Sequence, residues 1–262
     1  MIPEDVRVRI VTWNVNSLRA RILRVLELLD EHRPDVACLQ ETKCAPDTFP
    51  EAELADAGYA AVHHSAGQWA GVAVLARQGL RLSDPVLELA ADPVGGEARW
   101  CEATVDGIRF ASAYVPNGRA LDSPEFLRKL AFLDAVTARV REIGAGRLLL
   151  AGDMNIAPAD IDVYDPSAFA LSTHVTPEER SRLQAILDLG LHDAYRELHP
   201  DTVQYTWWDY RAGNLHKGLG LRIDLALVGT ELAPGLRSCG IDRDYRKGKK
   251  PSDHAPLLLE LD

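Results

Sequence analysis

Gly146-Arg147-Leu148-Leu149-Leu150-Ala151-Gly152-Asp153-Met154-Asn155 is an apolar run that ends abruptly in a carboxylate and a carboxamide. Bounded by glycine on one side and by polar residues and Pro158 on the other, it has the signature of a strand buried on both faces. Gly152 lets the backbone leave the sheet without a Cβ in the way. Asp153 and Asn155, two positions apart in extended chain, would then project to one side and begin an oxygen-rich pocket. The same residues could equally close the strand as an Asp-x-Asn turn held by side-chain to backbone bonds. The rest of the chain decides between the two.

Other segments repeat the plan of apolar body and polar exit. Val6, Val8 and Ile10 alternate with Arg7 and Arg9, a period of two that predicts a half-buried strand ending near Trp13, with Asn14 and Asn16 next. From Leu18 to about His32 apolar residues fall at helical spacing, Ser17 is placed to cap the helix, and Pro34 stops it. Asp35 to Leu39 is a short buried run that reaches Gln40-Glu41-Thr42-Lys43, and Gly71 to Leu75 predicts a third strand. Trp100 to Val105 and Ile108 to Val115 flank Asp106-Gly107, a strong hairpin signal, and the second arm runs out through Tyr114-Val115-Pro116-Asn117. Ser123-Pro124-Glu125 opens a helix to about Ile143, and Thr176-Pro177-Glu178-Glu179 opens another that ends at Gly190. Arg222 to Val228 reads as a buried strand carrying Asp224, Ser238 to Ile241 as a short one, and His254 to Leu261 as the last. Strand and helix alternate in each half, which points to two similar layered sheets.

A chain of 262 residues, 47% hydrophobic and 26% charged, can bury a large core, and one compact domain spanning 1–262 is expected rather than a disordered or fibrous chain. Cys38, Cys44, Cys101 and Cys239 form no C-x-x-C pair, which argues against a zinc ribbon or a disulfide framework and for a reducing compartment. The acidic Met1–Asp5 lead shows no secretory signal and no run approaches membrane-spanning length, so a cytoplasmic protein without a membrane partner is expected. The net charge of −10 speaks against nucleic acid, but phosphate binding follows the local patch. Such a patch exists where Arg243, Arg246, Lys247, Lys249 and Lys250 precede Ser252-Asp253-His254.

Asn14, Glu41, Tyr114, Asp153, Asn155, Asp253 and His254 all sit at strand exits, while strand interiors are apolar. Carboxylates gathered at one edge of a packed sheet without matching cations imply a hard metal ion between them. Oxygen ligands without a histidine pair suit magnesium or manganese rather than zinc.

The motifs Trp13-Asn14-Val15-Asn16-Ser17-Leu18-Arg19-Ala20, Leu39-Gln40-Glu41-Thr42-Lys43, Tyr114-Val115-Pro116-Asn117, Gly152-Asp153-Met154-Asn155, Gly220-Leu221-Arg222-Ile223-Asp224 and Ser252-Asp253-His254-Ala255-Pro256 resemble, in order and from end to end, those of the exonuclease III family of DNA-repair nucleases. The resemblance implies the DNase I-like four-layered α/β sandwich of the wider endonuclease/exonuclease/phosphatase superfamily, two packed mixed sheets flanked by helices. It also implies a Mg2+-dependent phosphodiesterase, with Mn2+ able to substitute, acting as a monomer on double-stranded DNA at abasic sites, nicks and 3′ ends.

Phosphodiester hydrolysis requires neutralised charge, an oriented water and a stabilised leaving oxygen. Glu41, supported by Asn14 and Asp253 and neighboured by Asp153 and Asn155, is the expected metal site. Asp153 would orient or deprotonate the water, and Asn155, Asn117 and Tyr114 would donate hydrogen bonds to the phosphate. His254, oriented by Asp224, would bind or protonate the phosphate region. Which of Asp153, Tyr114 and His254 moves the proton is left open by the sequence. Arg19, Lys43, Arg222 and Lys247 are expected to contact DNA, and the resemblance places Trp207, Leu221 and Ile223 around a pocket for a flipped-out abasic sugar.

Two residues depart from the pattern. His174 stands where related sequences often carry a small residue, so its imidazole would obstruct the strand 3′ to a lesion and shift preference from internal abasic incision to 3′-terminal work. Asn16 replaces an acid found in some relatives, which argues against its ligating metal. Two other readings compete: a sister-branch phosphatase or phospholipase acting on a small phosphate ester, and a scaffold that keeps the fold without the site. The full set of polar strand exits counts against the scaffold, and the basic and aromatic residues favour DNA.

Overall fold

In the computed structural model the described residues are 7–91 and 93–262, so Val6 and the Met1–Asp5 lead lie outside them. In chain order they form β1 (Val8–Asn14), α1 (Leu18–His32), β2 (Val36–Gln40), α2 (Glu51–Asp56), β3 (Tyr59–His64), β4 (Val72–Arg77), β5 (Leu82–Val86), β6 (Trp100–Val105), β7 (Ile108–Tyr114), α3 (Pro124–Ile143) and β8 (Leu148–Asp153). Then follow α4 (Pro177–Leu187), β9 (Leu191–Asp193), α5 (Ala194–Leu198), α6 (Asn214–Lys217), β10 (Asp224–Gly229), β11 (Leu236–Ile241) and β12 (Leu257–Leu261). One sheet has the spatial order β11-β12-β1-β2-β4-β3 and the other β5-β6-β7-β8-β10-β9. Both are mixed: β1 runs parallel to β2 and β7 to β8, while the remaining neighbours are antiparallel.

Side-chain alternation makes the layers. Along β8, Leu149 and Ala151 face the other sheet, while Leu148 and Leu150 face away, towards Phe132, Leu133 and Val136 of α3 and Leu183 and Ile186 of α4. On the other sheet, Val11, Trp13, Ala37 and Leu39 pack outward on Leu18, Val25, Leu28 and Leu29 of α1. Ile10, Val36, Cys38, Val74, Phe110, Ala226 and Leu259 fill the seam between the sheets. Helices therefore cover both outer faces, which is the expected four-layered sandwich.

The seam changes character along its length. On β1 the inward positions run Ile10, Thr12, Asn14; on β2 Val36, Cys38, Gln40; on β7 Phe110, Ser112, Tyr114; on β8 Leu149, Ala151, Asp153. Thr12, Gln40 and Ser112 form a buried polar band, with Gln40 Nε2 donating to Thr12 Oγ1 at 3.1 Å and to Ser112 Oγ at 2.9 Å. Each polar atom in the band has a partner, so burial there leaves no desolvation penalty uncompensated. Beyond it the strands end and their last side chains meet at one rim.

Local chemistry explains where the chain turns. Asp106 and Gly107 take φ of 45° and 83°, the left-handed pair that a two-residue hairpin needs. Gly152 has φ 147°, and a Cβ there would lie 2.0 Å from the Ala113 carbonyl oxygen on β7. Only glycine lets β7 and β8 pair at the point where Asp153 emerges.

The structure adds elements that the sequence reading left out: α2, β3, β5, β9, α5 and α6. Boundaries are also corrected, and the helix opened by Thr176 ends at Leu187 rather than Gly190. The last strand begins at Leu257 rather than His254, because Pro256 cannot donate to a ladder, and the strand carrying Asp224 begins at Asp224 itself. All four cysteines are free and buried. Among the described residues no helix is long and apolar enough to cross a membrane.

Candidate active site

Strand ends bring the site together. Asp153 and Asp224 are register partners on antiparallel β8 and β10, and Tyr114 is the register partner of Asp153 on β7. The opposite sheet supplies Asn14 and, one residue past β2, Glu41. His254 is held by the first sheet, for Trp13 Nε1 donates to its carbonyl at 3.0 Å and Ser252 Oγ donates to the Asn14 carbonyl at 2.6 Å. Between the sheets opens a cavity of about 180 Å³ lined by Glu41, Tyr114, Asn117, Asp153, Asn155, His174, Trp207, Ile223, Asp253 and His254. Glu41, Lys43, Asn155 and His174 have φ of 52°, 50°, 51° and 82°, so left-handed backbone without glycine clusters at this rim. Such conformations persist where surrounding bonds over-determine them, commonly at functional sites.

Asn14 joins the two carboxylates: its Nδ2 donates to Glu41 Oε1 at 2.8 Å and to Asp153 Oδ2 at 2.9 Å, while its Oδ1 accepts the Asn16 N–H at 3.0 Å. Burial, followed by the nearby Asp224 and Glu41 charges, outweighs the pull of His254 and raises the Asp153 carboxyl to about 7. Burial alone would lower His254, but Asp224 at 2.7 Å from Nδ1 and Asp153 at 3.7 Å from Nε2 raise it to about 10, so the ring is an imidazolium at neutral pH. Tyr114 is held well above the usual phenol range by burial and then by Glu41, to which it hydrogen-bonds, while the Arg99 guanidinium lies 4.5 Å from its ring centre. It is therefore a neutral hydroxyl donor. Asp253 would be raised by burial, yet His254, Trp207 Nε1 at 3.1 Å and Asn16 Nδ2 at 2.9 Å hold it below the carboxylate range.

Glu41, Asp153 and His254 each offer a ligand atom, and these atoms lie within 4.8 Å of one another. His254 is committed to Asp224 and carries a proton, which leaves Glu41 and Asp153 as the pair that could hold a metal ion. The donor set fits a hard cation: two carboxylates crowded together, one of them raised toward neutrality by burial and by neighbouring negative charge. Lys43 Nζ, 2.7 Å from Glu41 Oε2 and 2.6 Å from Asn16 Oδ1, partly fills that need.

The structure gives the other expected ligands different partners. Asn14 turns its amide nitrogen, not its oxygen, to the carboxylates. Asn155 Nδ2 donates to the Val115 carbonyl at 2.9 Å and its Oδ1 accepts from Asn117 Nδ2 at 3.3 Å. Both oxygens of Asp253 are taken by Asn16 and Trp207. These residues line or brace the cavity without facing Glu41 as free oxygen ligands.

Among the expected DNA contacts, Arg19 is exposed on α1, Lys43 stands at the rim, and Lys247 is exposed in an ion pair with Asp244 at 2.6 Å. Arg222 is a correction. Its guanidinium is fully buried between Asp162 at 2.6 Å and Asp193 at 2.8 Å, so no part of it is open to DNA. Leu221 is likewise buried, packed with Val163 and Ile223 behind the cavity, whereas Trp207 and Ile223 do line it. Arg246 leaves the basic patch as well, for it is buried and donates to the Ser252 and Trp208 carbonyls. His174 faces the cavity, with Nδ1 bonded to the Asn155 carbonyl at 2.6 Å. A second cleft of about 300 Å³ continues from Glu41 and Tyr114 past Lys43, the 73% exposed Trp69, Arg99, Arg119 and Arg128. The sequence reading missed Arg99, a lone charge just before β6, and also Lys129 and Glu179 behind the cavity, because single charged residues on a helix look like solvent-facing ones.

The sequence model of the endonuclease/exonuclease/phosphatase family matches residues 11–254. Exodeoxyribonuclease III of Haemophilus influenzae is 31% identical over 97% of this chain and 99% of its own. DNA repair nuclease APEX1 of Danio rerio is 31% identical over 97% of this chain and 82% of its own. Among solved structures, the 3′ phosphatase NExo from Neisseria bound to product DNA hairpin has TM-score 0.93 and 41% identity, covering 97% of this chain and 99% of that one. An AP endonuclease from Archaeoglobus fulgidus has TM-score 0.93 and 34% identity with the same coverage. End-to-end likeness in sequence and shape, together with the assembled site, shows that the chain belongs to the endonuclease/exonuclease/phosphatase family, as a DNA-repair nuclease of the exonuclease III and AP endonuclease type.

Proposed function

We propose that this chain is a magnesium-dependent enzyme of duplex DNA that trims 3′ termini, removing 3′-phosphates, blocking groups and terminal nucleotides, and that incises internal abasic sites less readily. It would work as a single-domain monomer in the reducing cytoplasm. The observation that carries the reading is the meeting of Glu41, Asp153 and His254 in one small cavity that His174 also lines. A divalent cation held by Glu41 and Asp153, magnesium or in its place manganese, would supply charge neutralisation at the phosphate and at the leaving oxygen. The protein does the rest. The His254 imidazolium and the Tyr114 hydroxyl donate hydrogen bonds to phosphate oxygens, joined by the amides of Asn117 and Asn155. Asp153, kept ionised by the cation beside it, orients the attacking water and takes up its proton. Asp224 holds the ring of His254 and keeps it charged.

His174 gives the preference for ends. Its buried imidazole lines the same cavity as Trp207 and Ile223, and a flipped-out sugar with continuing 3′ strand would have to be received there. A chain terminus has no such strand to place. The relatives agree with either activity, since one is named a 3′ phosphatase and another an AP endonuclease. The test uses duplexes bearing a 3′-phosphate, a recessed 3′ end or an internal abasic site, with magnesium and then with EDTA. Metal-dependent release at 3′ ends should exceed abasic incision, and His174→Gly should raise incision by about ten-fold or more. Equal incision by wild type and His174→Gly would remove the proposed preference, and no metal-dependent cleavage of any of these duplexes would remove the whole reading.

A further inference from the structure

Behind the wall of the cavity lies a buried ion pair that the chemistry above does not use. Lys129 of α3 and Glu179 in the first turn of α4 are both fully buried and bonded to each other. Taking two charges out of water is costly, so an apolar pair would join α3 to α4 at least as well. The other partners of the pair give it a different meaning. Lys129 Nζ donates to the main-chain carbonyl of Asn155 at 2.7 Å and to that of Asn117 at 3.3 Å. Glu179 accepts the His174 N–H at 2.9 Å and, on its second oxygen, the Thr176 N–H at 3.0 Å and hydroxyl at 2.9 Å.

Three loops thus converge on one ammonium and one carboxylate: the exit of β7, the exit of β8, and the approach to α4. Each contributes one residue to the cavity, namely Asn117, Asn155 and His174. Asn155 and His174 are also two of the left-handed residues, with φ of 51° and 82°, and conformations of that kind need outside bonds to persist. Room for the lysine stem comes from Gly118, where a Cβ would lie 3.0 Å from Lys129 Cδ. Glu41 and Asp153 are braced from the other side by Asn14 and make no hydrogen bond to Lys129 or Glu179, although Asp153 Oδ1 accepts the Asn155 N–H at 3.0 Å.

We propose that Lys129 and Glu179 are positioning residues, a staple that sets the Asn117 and Asn155 amides against the phosphate and touches the cation pair only through the Asn155 backbone. This rests on the phosphate-binding role given above to the two asparagines. The test compares Lys129→Met with the milder Glu179→Gln, which keeps the side-chain shape should the first variant not fold. Hydrogen exchange in 115–118, 154–157 and 173–176 is expected to accelerate about ten-fold or more, with the strands unchanged. On a 3′-phosphate duplex, kcat should fall about ten- to hundred-fold, as small displacements of a reacting geometry do, with KM and Mn2+ affinity within about three-fold. Asn155→Ala, costly by itself, should add less than about two-fold in the Lys129→Met background. Unchanged exchange in the three loops, fully additive losses, or equal weakening of Mn2+ binding would each overturn the staple. A wild type without DNA cleavage would instead remove the functional reading, and the exchange measurement would still decide the staple.

Discussion

Asp153 lies within reach of Asn14 and His254, is buried, and shares its surroundings with the Glu41 and Asp224 charges. A carboxyl so placed is costly to ionise without a cation and is held ionised beside one, where it can orient the attacking water. Asp153→Asn should therefore abolish turnover, by about a thousand-fold or more in kcat, while leaving the fold intact by circular dichroism. Glu41→Ala should lose mainly cation affinity, so that excess manganese restores much of the rate; a rate that stays low at saturating manganese would place Glu41 in the chemistry itself. His174 makes a prediction about pH. Burial first, and then the Lys129 charge, lowers its imidazole from 6.5 to about 4. The unfolded chain then takes up the proton first as pH falls, so stability is full above 6.5 and declines through the window down to about 4. His174→Asn should flatten that decline by up to about 2–3 kcal/mol, measured by urea unfolding between about pH 7 and pH 4. At this scale the sequence named Glu41, Asp153 and His254 because a polar residue ending an apolar strand is visible in one dimension. It misassigned Arg222, whose partners Asp162 and Asp193 are 60 and 29 positions away and give no local sign.

Elements whose own residues specify them were legible. The predicted helix from Leu18 to His32 matches α1, since Ser17 accepts the Ala20 N–H and Arg33 closes the helix at φ 45°. The Asp106-Gly107 hairpin likewise follows from its turn alone. By contrast β5 carries Pro85 and a register shift between Ser83 and Val86, and β3 is a largely half-buried edge strand whose apolar run is only the short, alanine-rich Tyr59-Ala60-Ala61-Val62, so neither stands out. Gly152 offers the sharpest test at this scale. Gly152→Ala puts a methyl 2.0 Å from the Ala113 carbonyl oxygen, on backbone at φ 147°. Loss of about 3 kcal/mol or more is expected in denaturant unfolding, because the atom met is backbone and cannot swing aside. A loss below about 1 kcal/mol would mean that β7 and β8 can part near the site without cost to the rest.

For the whole molecule, a net charge of −10 and a polyanionic substrate call for uneven charge. Lys247, Lys249 and Lys250 stay exposed near the rim, although Arg243 and Arg246 of the same run are taken up by the Leu215, Ser252 and Trp208 carbonyls. Replacing the three lysines by alanine should weaken duplex binding and make it less sensitive to salt. The slope of log affinity against log salt should fall by about one for each phosphate that is no longer neutralised. An unchanged slope would put the DNA elsewhere. The layered architecture itself was readable, because alternating strand and helix segments with doubly buried strands have few other ways to hide their apolar faces.

The cysteines carry a last consequence. Cys38, Cys101 and Cys239 lie in the seam between the sheets, and burial holds all of them above the thiol range, with Cys101 at about 12. A thiol that keeps its proton and meets no solvent is inert to oxidants and alkylating dyes. Damaging conditions that create broken DNA ends would thus leave these three thiols of the folded nuclease untouched, and a maleimide dye would label them only as fast as the two sheets come apart.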